Sequence, residues 1–257
     1  MKIYELSKQK NIRDLGGLIG FNGRPVKYGR LFRGGALNKV SEEDVEFLKS
    51  LRITDVVDFR SRDEFIHRPD HKLENVNYYN FPTFEHELKK EDIVHDDGNL
   101  LWFMNKGDTG FNHLLRTYKE LVDTEEGQEA YRNLFKVMMK DDSRVVYFHC
   151  SQGKDRVGIA AYLIESALGV DLETIKEDYL LSNVAMEKRR GILIDGVKDK
   201  PFYNEQYHND LIEVFSAKLE YFEGAIEIIN NKYGGVMSYL QNVLNVNIDK
   251  FRKLYLE

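Results

Sequence analysis

The chain has 257 residues, 42% of them hydrophobic, with four prolines, a single cysteine and a formal charge of −6, enough for one compact unit with a real core and no long disordered linker. The acidic balance excludes the basic surface that a nucleic-acid backbone attracts, and the lone cysteine excludes an internal disulfide and suits a reducing compartment. The first ten residues carry charges and no apolar stretch of the secretory kind, and the most apolar segment, 157–170, contains Glu165 and is too short to cross a bilayer, so a cytoplasmic protein without integral membrane association is expected.

In chain order, 30–33 has the aromatic content of a strand, although glycines interrupt it. Ser41 with Asp44 three residues on resembles a capping box, and Val45, Leu48 and Leu51 then recur at helical spacing. Thr54 to Phe59 is a short apolar run rich in β-branched residues and reads as a buried strand; 76–81 reads as another, ending before Pro82. A helical pattern from about Glu125 to Lys140 places Tyr131, Leu134, Phe135 and Met138 on one face and leads into a further buried strand, Arg144 to Phe148. Val157 to Leu168 is a nearly continuous apolar helix that Gly169 can end, and Asp171 can cap the next helix, through about Arg190. From Asn204 onward the pattern is helical again, a section that either covers a site as a lid or completes the core.

These elements predict an α/β fold: a central, mostly parallel sheet of about four to five strands, helices on both faces, and a helical C-terminal section. One domain is expected over 1–257, with its core in about 1–190 and the helical section in about 204–257.

The chemistry concentrates in His149-Cys150-Ser151-Gln152-Gly153-Lys154-Asp155-Arg156. Cys-x5-Arg alone says little, but here the cysteine ends a buried strand, turn residues follow, and an apolar helix starts at once after Arg156. Such a corner points successive backbone N–H groups of Ser151, Gln152, Gly153 and Lys154 inward and adds the positive end of a helix dipole, which suits a phosphate dianion. Gly153 permits close approach or positive φ, and the planar fork of Arg156 can hold two phosphoryl oxygens. A thiol at a helix N-terminus beside cations is favoured as the thiolate, which makes Cys150 a nucleophile toward phosphorus. No metal or organic cofactor is needed.

At this point the chain resembles the cysteine-dependent protein tyrosine phosphatases, in particular the bacterial branch whose loop reads His-Cys-x-x-Gly-Lys-Asp-Arg. The resemblance covers most of the first 190 residues and includes Asn11-Ile12-Arg13-Asp14-Leu15-Gly16-Gly17, Arg30-Leu31-Phe32-Arg33-Gly34, Asp58-Phe59-Arg60-Ser61 and Asp178-Tyr179-Leu180-Leu181-Ser182-Asn183. It implies a phosphomonoester hydrolase working through a cysteinyl-phosphate, with a phosphotyrosine protein as first-choice substrate and a phosphoinositide as the alternative, and it associates a loop lysine, here Lys154, with highly charged substrates.

The resemblance makes Asp155 the general acid, although Lys154 and Arg156 beside it favour its ionised form while a bound phosphate pushes the other way; a carboxylate orienting the arginine is the other reading. The Trp-Pro-Asp acid loop of the eukaryotic-type enzymes is absent, and the sole tryptophan is Trp102. His149 either orients the loop or simply packs at the strand end. Asp58 can hold Arg156 or Arg60 near the loop, or Asp58 and Arg60 form a purely structural pair. Lys188-Arg189-Arg190 reads first as a basic helix C-terminus and second as a recogniser of acidic surfaces. The departure from the branch is Val157, where most members carry Ser or Thr to help the cysteine leave; a slower second step follows unless Ser151 or another donor substitutes. At its limit this gives a different class, a phosphate-binding module with low turnover.

Overall fold

A computed structural model describes residues 2–4, 11–84, 107–201 and 203–257; Trp102 and its neighbours lie outside them. The strands β1 (Lys2–Tyr4), β2 (Ile12–Asp14), β3 (Leu31–Gly35), β4 (Asp55–Asp58), β5 (Asn77–Asn80) and β6 (Val146–Cys150) form one six-stranded sheet in the order β1-β2-β3-β6-β4-β5. β3, β6, β4 and β5 run parallel, and the short β1 and β2 extend the sheet antiparallel beyond β3. The sheet is thus mostly parallel, as expected, with an antiparallel margin at one end. β6 is central, and its register with β3 and β4 sets Cys150 opposite Gly35 and His149 opposite Asp58. All three strands therefore finish at one edge, the place where open α/β sheets bind ligands.

Alternating side chains divide the two faces. Phe32, Val56 and Tyr147 meet Leu48 of α1 (Glu42–Ser50) on one side. Leu31, Val57, Val146 and Phe148 join the larger core on the other. That core takes side chains from α3 (Gly110–Asp123), α4 (Glu125–Met138) and α5 (Asp155–Leu168). Burial on both faces is why β6 reads as a continuous apolar run rather than an alternating one. The Ser41–Asp44 capping box is formed at the start of α1, and a second one, Ser61 with Glu64, starts α2 (Arg62–His67).

α5 is buried on nearly all sides, as its uniformly apolar sequence demands, and it ends at Gly169 with φ 82°. Asp171 caps α6 (Leu172–Val197), which continues past the expected end near Arg190. Lys188, Arg189 and Arg190 therefore lie within the helix and do not form its C-terminus. Gly191 does not break it, since one glycine in a helix costs only about 1 kcal/mol. Asn204 caps α7 (Glu205–Phe215), followed by α8 (Leu219–Tyr233), the short α9 (Val236–Ser238), a π-helical turn at Tyr239–Val243, and α10 (Ile248–Tyr255). Phe222, Tyr239, Leu240, Phe251 and Tyr255 from this section sit inside the larger core. Among the described residues no helix is long and apolar enough to cross a membrane.

Candidate active site

Cys150 closes β6 and is 2% exposed, and Lys154 directly precedes the first turn of α5. Between them Gly153 takes φ 67°, and a Cβ there would come within 2.4 Å of the Gly34 carbonyl carbon, so both its backbone angle and its lack of a side chain are used. β3 keeps its two glycines inside the strand because the loop rests on them.

The loop's outward-facing carbonyls are held from behind. Asn11 Nδ2 donates to the carbonyls of Gln152 at 3.1 Å and Gly153 at 2.8 Å, and Arg33 Nη2 donates to Gly153 at 3.2 Å. Arg13 and Arg33 are both fully buried and share Asp178, with Arg13 Nε 2.7 Å from Oδ1 and Arg33 Nη1 on Oδ2. Burial works to raise the Asp178 carboxyl, but the two guanidiniums outweigh it and hold it below its ordinary value. The Asn11-to-Gly17 and Asp178-to-Asn183 segments thus meet behind the loop. Asn183 continues the contact by exchanging hydrogen bonds with both backbone groups of Ala217 at 2.8 Å, and Asp14 accepts from the N–H groups of Gly16 and Gly29.

In front, Arg156 Nη1 lies 2.8 Å from Glu64 Oε2, and Nη2 donates to Ser151 Oγ at 3.1 Å. Ser151 in turn donates its proton to Glu64 Oε1. The partner of Arg156 is therefore Glu64, not Asp58. Burial pushes Glu64 up, but Arg156, Ser151 and the Ser61 N–H together bring it down to about 2. The same carboxylate completes the capping box of α2, accepting from the Ser61 N–H at 3.2 Å.

Asp58 holds Arg60 instead, with Asp58 Oδ2 2.7 Å from Arg60 Nη2, and Arg60 also reaches Asp70 Oδ1 at 3.0 Å. His149 lies between these carboxylates, Nε2 being 3.0 Å from Asp70 Oδ2 and Nδ1 3.8 Å from Asp58 Oδ1. Burial lowers its basicity, yet the two acids prevail and raise it above the ordinary imidazole value. His149 thus packs at the strand end facing two carboxylates. Asp58, Asp70 and His149 are close enough to share a metal ion, but Arg60 already supplies the cation for both carboxylates.

Lys154 is fully buried: its Nζ donates to Asp155 Oδ1 at 2.7 Å and to the Ser216 carbonyl at 2.9 Å. Asp155 also accepts from Tyr118 of α3 at 2.8 Å, again on Oδ1. Tyr118 in turn contacts the Tyr179 hydroxyl at 2.7 Å. Val157 is buried in the core, and the hydroxyl of Ser151, the substitute donor considered for it, spends its proton on Glu64. Glu64, Asp70, Tyr118 and the Asn11 and Arg33 contacts were missed by sequence reasoning. Of these, Glu64 carried a local signal, the Ser-x-x-Glu pattern after a strand.

A family model described as the tyrosine phosphatase family matches residues 4–257. A Cupriavidus necator protein named as a candidate tyrosine-protein phosphatase is 29% identical over 261 residues, covering 96% of this chain and 85% of that one. The triple specificity protein phosphatase PtpB of Mycobacterium tuberculosis is 24% identical over 267 residues, covering 94% of each. The solved structure of P. aeruginosa TpbA in complex with pTyr covers 79% of this chain and 90% of its own at 14% identity, but with a TM-score of 0.26 it adds nothing to the fold.

Proposed function

The chain belongs to the tyrosine phosphatase family, and from that premise we propose that it hydrolyses phosphotyrosine in proteins through a cysteinyl-phosphate on Cys150. The observation that carries this reading is the corner at the end of β6, where Cys150, a Gly153 turn and the start of α5 come together with Arg156 held by Glu64. Backbone N–H groups of 151–154 and the guanidinium of Arg156 would bind the three non-bridging phosphoryl oxygens. The Cys150 thiolate attacks phosphorus, the bond to the ester oxygen breaks, and Asp155 gives that oxygen its proton. Water then attacks the thiophosphate, Asp155 takes the proton back, and inorganic phosphate leaves with the thiolate restored. Both contacts to Asp155 fall on Oδ1, an arrangement that suits Oδ2 as the proton carrier.

His149, Asp58 and Arg60 take no part in bond making in this scheme; they fix the strand end beneath Cys150. Cys150→Ser is expected to lower para-nitrophenyl phosphate turnover by about a thousandfold or more while phosphopeptide binding persists. Wild-type binding without turnover would replace the hydrolase by a phosphate-binding module. Phosphoinositides are the second substrate reading, favoured by the breadth that the name of the triple specificity relative declares; Lys154, buried against Asp155 and the Ser216 carbonyl, does not add to it.

A further inference from the structure

The connection between α7 and α8, Ser216-Ala217-Lys218, is held at each of its residues by a side chain from the loop or from α6. The Ser216 carbonyl accepts from Lys154 Nζ at 2.9 Å. Asn183 of α6 brackets Ala217, accepting from its N–H and donating to its carbonyl, both at 2.8 Å. Tyr179, also of α6, donates to the Lys218 carbonyl at 3.3 Å. Two of these side chains lead to Asp155. Lys154 Nζ reaches its Oδ1 at 2.7 Å, and the Tyr179 hydroxyl lies 2.7 Å from that of Tyr118, which donates to the same oxygen at 2.8 Å. Burial, Asp155 and Tyr179 hold the Tyr118 hydroxyl well above its ordinary value, so it keeps the proton it donates. Lys154 is fully buried, and its ammonium could meet a substrate phosphate only by leaving both of its partners.

We propose that the Ser216–Lys218 connection positions the general acid: through Lys154, and through Tyr179 and Tyr118, it pins Oδ1 of Asp155 and leaves Oδ2 for the leaving oxygen. Lys154 is then a positioning residue and not a substrate ligand, and the C-terminal helical section serves proton transfer. The inference rests on the reading of Asp155 as the acid. The Ser216 carbonyl carries no net charge, so it aims the ammonium without neutralising it, and the charge-assisted bond of Lys154 goes to Asp155. Two donors on one carboxylate oxygen fix which oxygen is left to face the ester. A displacement of about 1 Å in such a group can cost a hundredfold in rate even when its cause lies far from the chemistry.

The test measures kcat and KM for phenyl phosphate, whose leaving group needs a proton, and para-nitrophenyl phosphate, whose leaving group needs little. Wild type is compared with Lys154→Met, Asn183→Ala and Asp155→Asn, each with its urea midpoint. Lys154→Met is expected to lower kcat about thirtyfold for phenyl phosphate and about threefold for para-nitrophenyl phosphate, with KM nearly unchanged for both. Asn183→Ala, which alters only the hold on Ala217, should show the same pattern more weakly, about fivefold against no loss. Should Lys154→Met fail to fold, Asn183→Ala decides alone. Equal losses on the two esters, or a raised KM with kcat kept, would overturn the positioning role. A folded Asn183→Ala with both kcat values of wild type would remove the connection from it. Equal losses in Asp155→Asn would instead strike the premise that Asp155 is the acid, and absence of wild-type para-nitrophenyl phosphate turnover would strike the phosphatase reading itself.

Discussion

Behind the loop that follows Cys150, Asn11, Arg13, Arg33 and Asp178 are all but completely buried, and Asn11 and Arg33 donate to the carbonyls of Gln152 and Gly153. In front of it, Glu64 and Arg156 keep 14% and 17% of their side-chain surface exposed, and Arg156 is held by the side chains of Glu64 and Ser151. The rear network fixes the backbone by engaging the loop's carbonyls. The front pair fixes the guanidinium of Arg156. Breaking the first should show up as lost folding, breaking the second as lost catalysis in a folded protein.

Asp178→Asn is the largest perturbation, because it leaves Arg13 and Arg33 buried without their charge partner, a change that costs about 3–5 kcal/mol. A urea midpoint far below wild type is expected, and an unchanged midpoint would remove the distinction between the two sides. Asp178 lies below its ordinary value in the folded state. Its contribution is therefore complete above pH 3.8 and lost as pH falls through the folded value, a dependence the variant should lack.

Glu64→Gln should preserve the fold near neutral pH and lower kcat/KM about ten- to hundredfold, as Arg156 loses its charged tether. Glu64 falls from 4.5 to about 2 on folding, so its stabilisation, on the order of 3 kcal/mol, is present above pH 4.5 and lost as pH falls toward 2. A wild-type acid unfolding curve matched by the variant over that window would contradict this. Tyr118→Phe is milder: Asp155 keeps Lys154 but loses a hydroxyl, so kcat for an alkyl phosphate should fall about three- to tenfold, and less for para-nitrophenyl phosphate, whose leaving group needs little protonation. The smallest change is Val157→Thr, expected to raise steady-state turnover about two- to fivefold and shrink any phosphoenzyme burst; no burst in wild type and no gain in the variant would make the valine irrelevant to turnover.

The features legible in the sequence were those written locally. β6 and α5 could be read from unbroken apolar runs, α1 from its capping box, and the loop from the residues joining β6 to α5. Helix α3 was overlooked although Leu114, Tyr118, Leu121 and Val122 repeat at helical spacing after the Thr109 cap, and with it went the Tyr118 contact to Asp155. Asp58 was given two possible arginines, and only three-dimensional placement chose Arg60. The pairing of Asp178 with Arg13 spans 165 residues, and no pattern within one segment could announce it. The length of α6 was underestimated because a basic triplet before a glycine resembles a helix end.

The contact between Gly153 and Gly34 limits how this protein can change over time. At Gly153 a side chain would strike the backbone of Gly34 and Gly35, and at Gly34 it would come within 2.3 Å of the Tyr147 hydroxyl. Neither position accepts a side chain without a shift of its neighbours. Variation that leaves this backbone in place is thereby confined to positions outside the Gly153–Gly34 contact.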